Sequence, residues 1–471
     1  MAINKSYLNY LIFQILQLLF TSIIYTSVNP WSTDSLLLFE IIFLYLFCQS
    51  AYINTKIYHT WKNIDNIFLC FFMFFCGTRV VFDIFSDQYP IENFPFYFNR
   101  NFSLNIITRT LYNFCIAILS FNIGTLIWKI FHKFKSNNDS ISIVDNSVIP
   151  KNIIYTLLFF GILAKLYISF QTFNAIRSLG YHALFLGELT INTNIIIELL
   201  SRLYLFAIFY LISTEKKISY FIYVTFFLYV VLSLATGQRG PALLTLVLTV
   251  FYLYKLGHLA LNPKYLLIVF AFLVFISVGV DLLRREGDMG DGFIKTFLGF
   301  FHGQSFSLSV TSATIDYIDS ISYSFKDIFG ELKFLFHNYW YKFGFNPFEN
   351  IDSLTLTGTY YKRYSHYISY IVNPNLFYEG SGIGGSYTAQ FYAVGKEPLQ
   401  AIGGVFIGYL FSSIYCLLHT KNILIRFWAY IILILYIYLP RTNILDPFTM
   451  NWLSFISSLF IYLFYKFKRI N

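Results

Sequence analysis

The chain has 471 residues, of which 57% are hydrophobic, 21% aromatic and only 12% charged, and its formal net charge is +9. A soluble domain carries roughly a quarter charged residues, so this composition excludes an ordinary water-soluble protein. The basic residues occur in short clusters beside apolar runs rather than on one polar face, which argues against nucleic-acid binding. The composition therefore predicts a chain that lies mainly in lipid.

Apolar runs long enough to cross a bilayer recur along the chain and predict an all-α polytopic membrane protein with about 12 transmembrane helices. The first run lacks a small-residue cleavage site and exceeds the length of a signal peptide, so it is interpreted as a retained span. The predicted spans are residues 7–28, 35–54, 66–84, 106–130, 152–171, 196–213, 218–236, 241–255, 265–283, 399–418, 423–439 and 448–466. All five cysteines fall inside these predicted spans without C-x-x-C spacing, which predicts neither a disulfide framework nor a zinc site.

Lysines are concentrated in alternate connections, and the positive-inside rule places those connections in the cytoplasm. They are Lys5, Lys56, Lys62, Lys129, Lys133, Lys135, Lys151, Lys216, Lys217, Lys255, Lys264, Lys421, Lys466 and Lys468, joined by Arg426 and Arg469. This pattern predicts a multi-pass membrane protein with both termini cytoplasmic.

One outer connection, residues 284–398 between the ninth and tenth spans, is too long for a simple link. The predicted organisation is therefore spans one to nine in residues 1–283, a large extracytoplasmic loop in 284–398, and spans ten to twelve in 399–471. Apolar residues recur at helical spacing from Phe325 to Tyr339, which is typical of an amphipathic helix at the membrane surface. A small capping subdomain without chemistry is the alternative.

Two pairs of opposite charges at i,i+4 spacing lie near the outer ends of predicted spans: Arg79 with Asp83, and Glu198 with Arg202. A charge within a span costs ~2.5–3.5 kcal/mol on insertion scales, so it needs a partner, a wet cavity or a function. Helical spacing places each pair on one face. We expect supporting ion pairs, whether they serve a site or only make the buried polarity tolerable.

Arginine, in contrast to lysine, is concentrated in the predicted outer connections. Arg239 lies in the turn between Gly237 and Gly240, and Arg284 and Arg285 follow the ninth span. A guanidinium group binds phosphate oxygens in bidentate fashion, which favours an anionic ligand such as a diphosphate. A bare turn at Arg239 and snorkelling of Arg284 and Arg285 to lipid headgroups are the alternatives.

The outer loop also carries a glycine-rich segment and three histidines. Gly380-Ser-Gly-Ile-Gly-Gly385 matches G-x-G-x-x-G, but no strand precedes it, so we reject nucleotide binding. Its glycines are expected to let cavity-lining backbone approach a ligand. Among His302, His337 and His366, we select His302 as a candidate general base, although a structural role in an aromatic setting is the alternative.

Two segments resemble the O-antigen and capsular polysaccharide repeat-unit polymerases, the Wzy family. Gly237-Gln-Arg-Gly240 before an apolar span resembles the family's arginine-glycine turn, and Glu379-Gly-Ser-Gly-Ile-Gly-Gly-Ser-Tyr-Thr-Ala-Gln390 resembles its glycine-rich segment. The resemblance implies the membrane glycosyltransferase architecture of polymerases and ligases, GT-C-like in kind. It also implies transfer of a glycan chain from undecaprenyl diphosphate onto the next lipid-linked repeat unit. The implied location is a bacterial plasma (inner) membrane, with the active face periplasmic or extracellular.

Under this resemblance, His302 and Arg285 are the expected catalytic residues, and no cofactor or metal is expected. The expected residues for the diphosphate and glycan are Arg239, Arg284, Arg285, Gly240, Gly382, Gly385 and Tyr387. The implied partners are undecaprenyl-diphosphate-linked oligosaccharides, membrane lipids, and a flippase and chain-length regulator of the same pathway, with no nucleic acid.

Three other classes of protein stay open. An O-antigen ligase uses the same donor with a lipid A core acceptor. A lipid-linked oligosaccharide flippase or other secondary transporter agrees in span number, but repeat symmetry and midplane polar groups are not evident. A membrane acyltransferase is disfavoured because no histidine-centred catalytic motif is apparent.

Overall fold

The structure is a computed structural model of the whole chain, and it describes most but not all residues. The described residues are 5–85, 91, 93–94, 100–134, 141–144, 148–179, 195–235, 239–260, 298–299, 301–342, 358–379 and 382–470. The ninth predicted span at 265–283 lies outside them, as do Arg284 and Arg285.

Apolar helices account for the other predicted spans. The first eight are α1 Lys5–Ser27, α2 Thr33–Tyr58, α3 Ile64–Phe85, α4 Leu104–Phe131, α5 Lys151–Leu179, α6 Ile195–Thr214, α7 Tyr220–Ala235 and α8 Arg239–Lys255. Later in the chain lie α13 Tyr387–Leu417, α14 Ile423–Ile437 and α16 Trp452–Ile470. Within the described ranges, seven helices are long and apolar enough to cross a membrane, and four shorter ones are also apolar. The protein is therefore a polytopic, essentially all-helical membrane protein, while the total of about 12 spans stays a prediction.

The elements between these spans are short. Two two-residue strands, β1 Asn93–Phe94 and β2 Arg100–Asn101, pair antiparallel before α4. The long connection before α13 contains α9 Phe306–Asp316, a 3₁₀ turn Phe325–Phe329, α10 Gly330–Lys342, α11 Tyr364–Val372 and α12 Pro374–Tyr378. A 3₁₀ turn Leu439–Arg441 and the four-residue α15 Asp446–Thr449 follow α14.

The chain divides into two compact units. The first comprises residues 1–138, 289–413 and 437–446, and the second comprises 139–288, 414–436 and 447–471. In the first unit, α4 is the central helix, and 83% of the residues in its most apolar stretch are buried. Its Gly124 approaches the backbone of Val405 on α13, and Gly408 of α13 approaches the backbone of Phe121, so closely that a Cβ atom would overlap the neighbour at either glycine. Small residues thus let α4 and α13 pack at backbone distance.

Two helices of the first unit depart from regular geometry. α3 contains a π-helical turn at Met73–Gly77. α13 begins at Tyr387, ahead of the predicted start at residue 399, and is interrupted by non-helical backbone at Gly395 and Lys396, with Pro398 just beyond. Because a proline lacks the N–H that would bond to the preceding turn, it is tolerated where the helix restarts.

The amphipathic stretch after Phe325 is helical, as predicted. Phe325, Phe329 and Phe336 are exposed, whereas Ile328 and Glu331 are buried. The capping box formed by Ser324 and Asp327 fixes the start of the 3₁₀ turn. Whether the exposed phenylalanines lie at the membrane surface stays a prediction.

The second unit buries one of the basic residues assigned to the cytoplasmic clusters. Arg426 in α14 has no exposed surface. Its Nε donates to the carbonyl of Thr420 at 2.9 Å and its Nη1 to the carbonyl of Ser142 at 2.8 Å. The guanidinium therefore satisfies backbone carbonyls in two connections that are far apart in the sequence. One of these carbonyls lies just beyond the end of α13, where a positive charge also complements the helix dipole.

Candidate functional site

A buried charged centre lies in the first unit, formed by Arg363, Glu331 and Asp446. Nε of Arg363 donates to Oε2 of Glu331 at 2.9 Å, and its Nη2 lies 3.6 Å from Oδ1 of Asp446. The side chains of Arg363, Glu331 and Asp446 are 20%, 1% and 3% exposed. One guanidinium thus holds two carboxyl groups that are almost wholly removed from solvent.

Backbone geometry explains why Arg363 reaches Glu331. Gly330, the first residue of α10, lies against the carbonyl of Tyr361, where any Cβ atom would overlap that oxygen. Lys362 adopts a left-handed φ of 52°, which turns the chain into α11. This close approach places Arg363 at the start of α11 beside the first turn of α10.

The electrostatics of the centre follow from its burial. Burial raises the pKa of Glu331, and the nearby charge of Asp446 raises it further. Burial likewise raises the pKa of Asp446, although Arg363 opposes the change. For Arg363, burial alone would lower the pKa, but the charges of Glu331 and Asp446 outweigh it and raise the pKa. Two carboxyl groups and one cation of this kind tend to retain a shared proton.

His366 and Phe334 complete the surroundings of Arg363. Nη1 of Arg363 lies 3.3 Å from Nε2 of His366, and the guanidinium carbon lies 5.0 Å from the centre of the Phe334 ring. His337, the other histidine of this region, contacts Tyr361. His337 and His366 therefore occupy different settings, and His366 contacts the charged centre through Arg363.

The glycine-rich segment runs beside this centre. The amide of Ile383 donates to Oγ of Ser369 at 3.0 Å. A Cβ atom on Gly385 would overlap Oδ1 of Asn443, and the amide of Asn443 donates to Oδ2 of Asp446 at 3.0 Å. Gly385 therefore lets the segment approach the turn that carries Asp446, while Gly380 and Ser381 lie outside the described residues.

Gln390 at the end of the same segment connects two parts of the unit. Its Oε1 accepts from the amide of Ile444 at 2.8 Å, and its Nε2 donates to the hydroxyl of Tyr323 at 2.8 Å. Gly382 is exposed, with Ser369 nearby. Tyr387 is fully buried, with its ring 6.5 Å from that of Phe72, which favours a packing role over direct contact with a substrate.

His302 lies in a different part of the first unit, beside α3. Its carbonyl accepts from Nε of Arg79 at 3.2 Å, and its ring packs edge-on against Phe82. Burial and the charge of Arg79 lower the pKa of His302 to about 3. Its imidazole is therefore neutral at physiological pH and a weak proton acceptor.

The structure describes only some of the remaining predicted residues. Arg239 begins α8, but its side chain is not among those described, and Arg284 and Arg285 lie outside the described ranges. Gly240 is half-buried in the first turn of α8. Oδ1 of Asp83 accepts from the amide of Ile91 at 2.8 Å, and the expected pairings of Arg79 with Asp83 and of Glu198 with Arg202 stay predictions.

Sequence reasoning missed Glu331 and Asp446 as site residues. The apolar spacing from Phe325 to Tyr339 predicts a surface helix that contains Glu331, but it gives this carboxyl group no role. No sequence pattern marks Asp446, and Arg363 is one arginine among several in the predicted outer connections. The sequence separations of these three residues carry no periodic signal. An isolated acidic residue within an aromatic stretch was the one available clue.

Membrane-spanning helices with a buried cationic and acidic centre in their connecting segments define a polytopic membrane protein with a candidate catalytic site. The family model for the O-antigen polysaccharide polymerase Wzy matches residues 10–469, nearly the whole chain. The chain therefore belongs to this family, which confirms the resemblance seen in the sequence. No match was found among curated proteins or among solved structures.

Membership of the family associates the protein with O-antigen polymerisation and polysaccharide biosynthesis. Polymerases of this family catalyse glycosyl transfer, and their substrates are lipid-linked oligosaccharides in the membrane.

Proposed function

We propose that the protein is an oligosaccharide repeat-unit polymerase that uses an undecaprenyl-diphosphate-linked glycan as donor. It transfers the glycan chain onto the next lipid-linked repeat unit in O-antigen or capsule biosynthesis. Family membership supports the reaction class, and the observation that carries the assignment of a site is the buried Arg363, Glu331 and Asp446 centre.

The proposed reaction requires one proton acceptor. A hydroxyl of the acceptor sugar attacks the anomeric carbon of the donor, the bond from that carbon to the diphosphate oxygen breaks, and undecaprenyl diphosphate leaves with the electron pair. The hydroxyl proton passes to a carboxylate. Asp446 suits this role because its Oδ1 is buried and lies 3.6 Å from Nη2 of Arg363, which orients the carboxyl group.

Glu331 and Arg363 are proposed to position and tune that base. The raised pKa of Glu331 favours its protonated form, so that one negative charge faces Arg363. With Glu331 protonated, Asp446 is the carboxyl group that the guanidinium faces and orients. His302 is the less suited base, because its lowered pKa makes its imidazole a poor proton acceptor.

The diphosphate side of the proposed site rests on the sequence pattern. Arg239, Arg284 and Arg285 are proposed to stabilise the leaving diphosphate, while Gly240, Gly382 and Gly385 let the backbone approach the substrate. We further propose that the site faces the periplasm or the extracellular space, with both termini cytoplasmic. A flippase and a chain-length regulator of the same pathway are the proposed protein partners.

Reconstitution tests the reaction directly. The purified full chain would be placed in proteoliposomes with the lipid-linked repeat unit of its host, and products would be resolved by mass spectrometry. We expect chains of two or more units with stoichiometric release of undecaprenyl diphosphate. Asp446→Asn and Arg363→Ala should abolish elongation, while Lys333→Ala, at an exposed position of α10, should retain it.

Three other outcomes would contradict the proposal. Transfer to a lipid A core acceptor without chain growth would identify a ligase. Movement of the lipid-linked unit across the bilayer without a new glycosidic bond would identify a flippase. Full elongation by well-folded Asp446→Asn and Arg363→Ala variants would move the site elsewhere.

A further inference from the structure

An exposed aromatic corner lies at the junction of α11 and α12. Tyr370 of α11 is 37% exposed and Tyr378 at the end of α12 is 53% exposed, whereas Phe377 behind them is 3% exposed. The ring centroids of Tyr370 and Tyr378 are 6.1 Å apart with an interplanar angle of 86°. Two exposed rings at right angles thus form two walls, and the buried ring of Phe377 supports both, at 5.8 and 6.0 Å.

This aromatic corner, defined as Tyr370, Phe377 and Tyr378, is continuous with the charged centre. His366 contacts Arg363 on one side, and its ring packs edge-on against Phe377 on the other, with a centroid distance of 6.1 Å. Tyr370 lies on the helix that Arg363 begins. Residues from the corner to the charged centre therefore form one packed series within the first unit.

The chemistry of the corner fits a sugar ring. The face of a pyranose that carries its C–H bonds is apolar, and an exposed tyrosine offers an apolar ring with a polar tip. Asn375 and Glu379 are exposed next to the aromatic residues and supply hydrogen-bonding groups for hydroxyls. A corner of this kind can stack on one face of a sugar and bound its edge.

The charge of the segment argues against a lipid headgroup as the occupant. Residues 364–379 contain no lysine or arginine, and their one carboxylate is Glu379. Surface segments that bind anionic lipids are rich in lysine and arginine. An uncharged sugar matches this neutral to acidic surface better.

We propose that Tyr370, Phe377 and Tyr378 form a glycan subsite that holds a sugar ring of the lipid-linked oligosaccharide next to the charged centre. This subsite rests on the proposed polymerase function and adds a saccharide-recognition surface to it. Tyr370 and Tyr378 contact the sugar directly, and Phe377 keeps their rings at right angles.

The test compares Tyr378→Ala and Tyr370→Ala with wild type in the proteoliposome assay. Losing one stacking contact should raise KM for the lipid-linked repeat unit roughly three- to tenfold, with kcat within about twofold. Tyr378→Trp should recover most of the KM effect of Tyr378→Ala, because an indole ring can stack in the same place. Tyr360→Ala is the matched control, because Tyr360 is 60% exposed in the same connection and its ring packs against Tyr361.

A second measurement does not depend on turnover. Saturation-transfer NMR with the free repeat-unit oligosaccharide, lacking its lipid, should detect transfer from aromatic protons to the sugar in wild type and Tyr378→Trp. The transfer should be lost in the two alanine variants. Unchanged KM and unchanged saturation transfer in folded alanine variants would overturn the subsite while leaving the polymerase assignment intact. Failure of the wild type to elongate any chain would instead overturn the polymerase assignment.

Discussion

At the residue scale, the centre of Arg363, Glu331 and Asp446 makes a prediction about pH and stability. The pKa of Glu331 is raised from 4.5 to about 8 by burial and by Asp446, so the folded protein holds a proton there that the unfolded chain releases. Stability from this proton is fully present below pH 4.5 and is lost as pH rises through about 8. Glu331→Gln should therefore flatten the fall in thermal stability over this window.

Thermal unfolding of detergent-purified protein from about pH 5 to about pH 8 tests this prediction. Each unit of pKa shift corresponds to about 1.4 kcal/mol of stability. The Asp446 carboxyl, whose pKa is also raised, should leave a residual slope, and Arg363 and His366 are the other ionisable groups in contact. Glu379→Gln, at an exposed position, is the control. An unchanged slope in Glu331→Gln would refute the assignment of the proton.

Gly385 provides a second prediction at the same scale. Its missing Cβ makes room for Asn443, whose backbone N would lie 3.2 Å from an added carbon and whose side-chain oxygen would overlap it. Gly385→Ala should cost ~1–3 kcal/mol of stability through overpacking and should displace Asp446, with most of the activity lost. Gly303→Ala should be nearly neutral, because no atom lies within 4 Å of its added carbon. Thermal unfolding and the elongation assay compare the two variants. Equal stability and equal activity of Gly385→Ala and Gly303→Ala would contradict the account.

At the scale of elements, a buried ion pair joins the end of α4 to the start of α3, beside the end of α2. Nζ of Lys129 contacts Oδ2 of Asp65, and neither side chain is exposed. The ammonium also lies 4.7 Å from the centre of the Tyr58 ring. Lys129 is in the last turn of α4 and Asp65 in the first turn of α3, where each charge complements the dipole of its own helix.

Breaking this pair should destabilise the helix packing strongly. Asp65→Asn leaves a buried, uncompensated ammonium and should cost ~3–5 kcal/mol. Asp65→Asn combined with Lys129→Met should be less harmful than Asp65→Asn alone. Lys151→Met is the matched control, because its pair with Glu215 leaves Lys151 54% exposed and should be worth about 0–1 kcal/mol. Chemical unfolding in detergent measures the three variants against wild type, and similar losses for Asp65→Asn and Lys151→Met would argue against the buried pair.

The positions of the helices were easier to predict from the sequence than the contacts between them. The apolar period and length of α1, α2 and α4 predicted helices close to where they lie, because those signals are local. The Lys129–Asp65 pair joins residues 64 positions apart, and the sequence indicated only that Lys129 ends a span. The early start of α13 was missed because residues 387–398 contain Gly395, Lys396, Glu397 and Pro398, which resemble a loop.

The candidate site was harder to predict from the sequence than the helices and their contacts. The sequence singles out the glycines, and it offers His366 only as one of three histidines from which His302 is chosen. Glu331, Arg363 and Asp446 meet because packing brings α10, the start of α11 and α15 together. His302 is the first candidate base on the sequence alone, and its burial beside Arg79 lowers its pKa and makes it a weak base. The role of each residue in the site depends on contacts between residues far apart in the sequence, and the periodicity of the sequence does not reveal these contacts.

At the scale of the whole molecule, the charge distribution predicts which side of the membrane the site faces. In a background lacking the five native cysteines, Lys333→Cys should react with a membrane-impermeant maleimide in intact cells. Lys151→Cys, in a predicted cytoplasmic connection, should react only after permeabilisation. The reverse pattern would invert the proposed orientation and place the charged centre in the cytoplasm.

The most direct test of the polymerase assignment is deletion of the gene in its own host, followed by complementation and gel analysis of the surface glycan. The deletion should leave the core with a single repeat unit, and the wild type and Lys333→Ala should restore the full ladder. Arg363→Ala and Asp446→Asn, at matched membrane levels, should not. Complete loss of the glycan on deletion, or a full ladder from both site variants, would contradict the account.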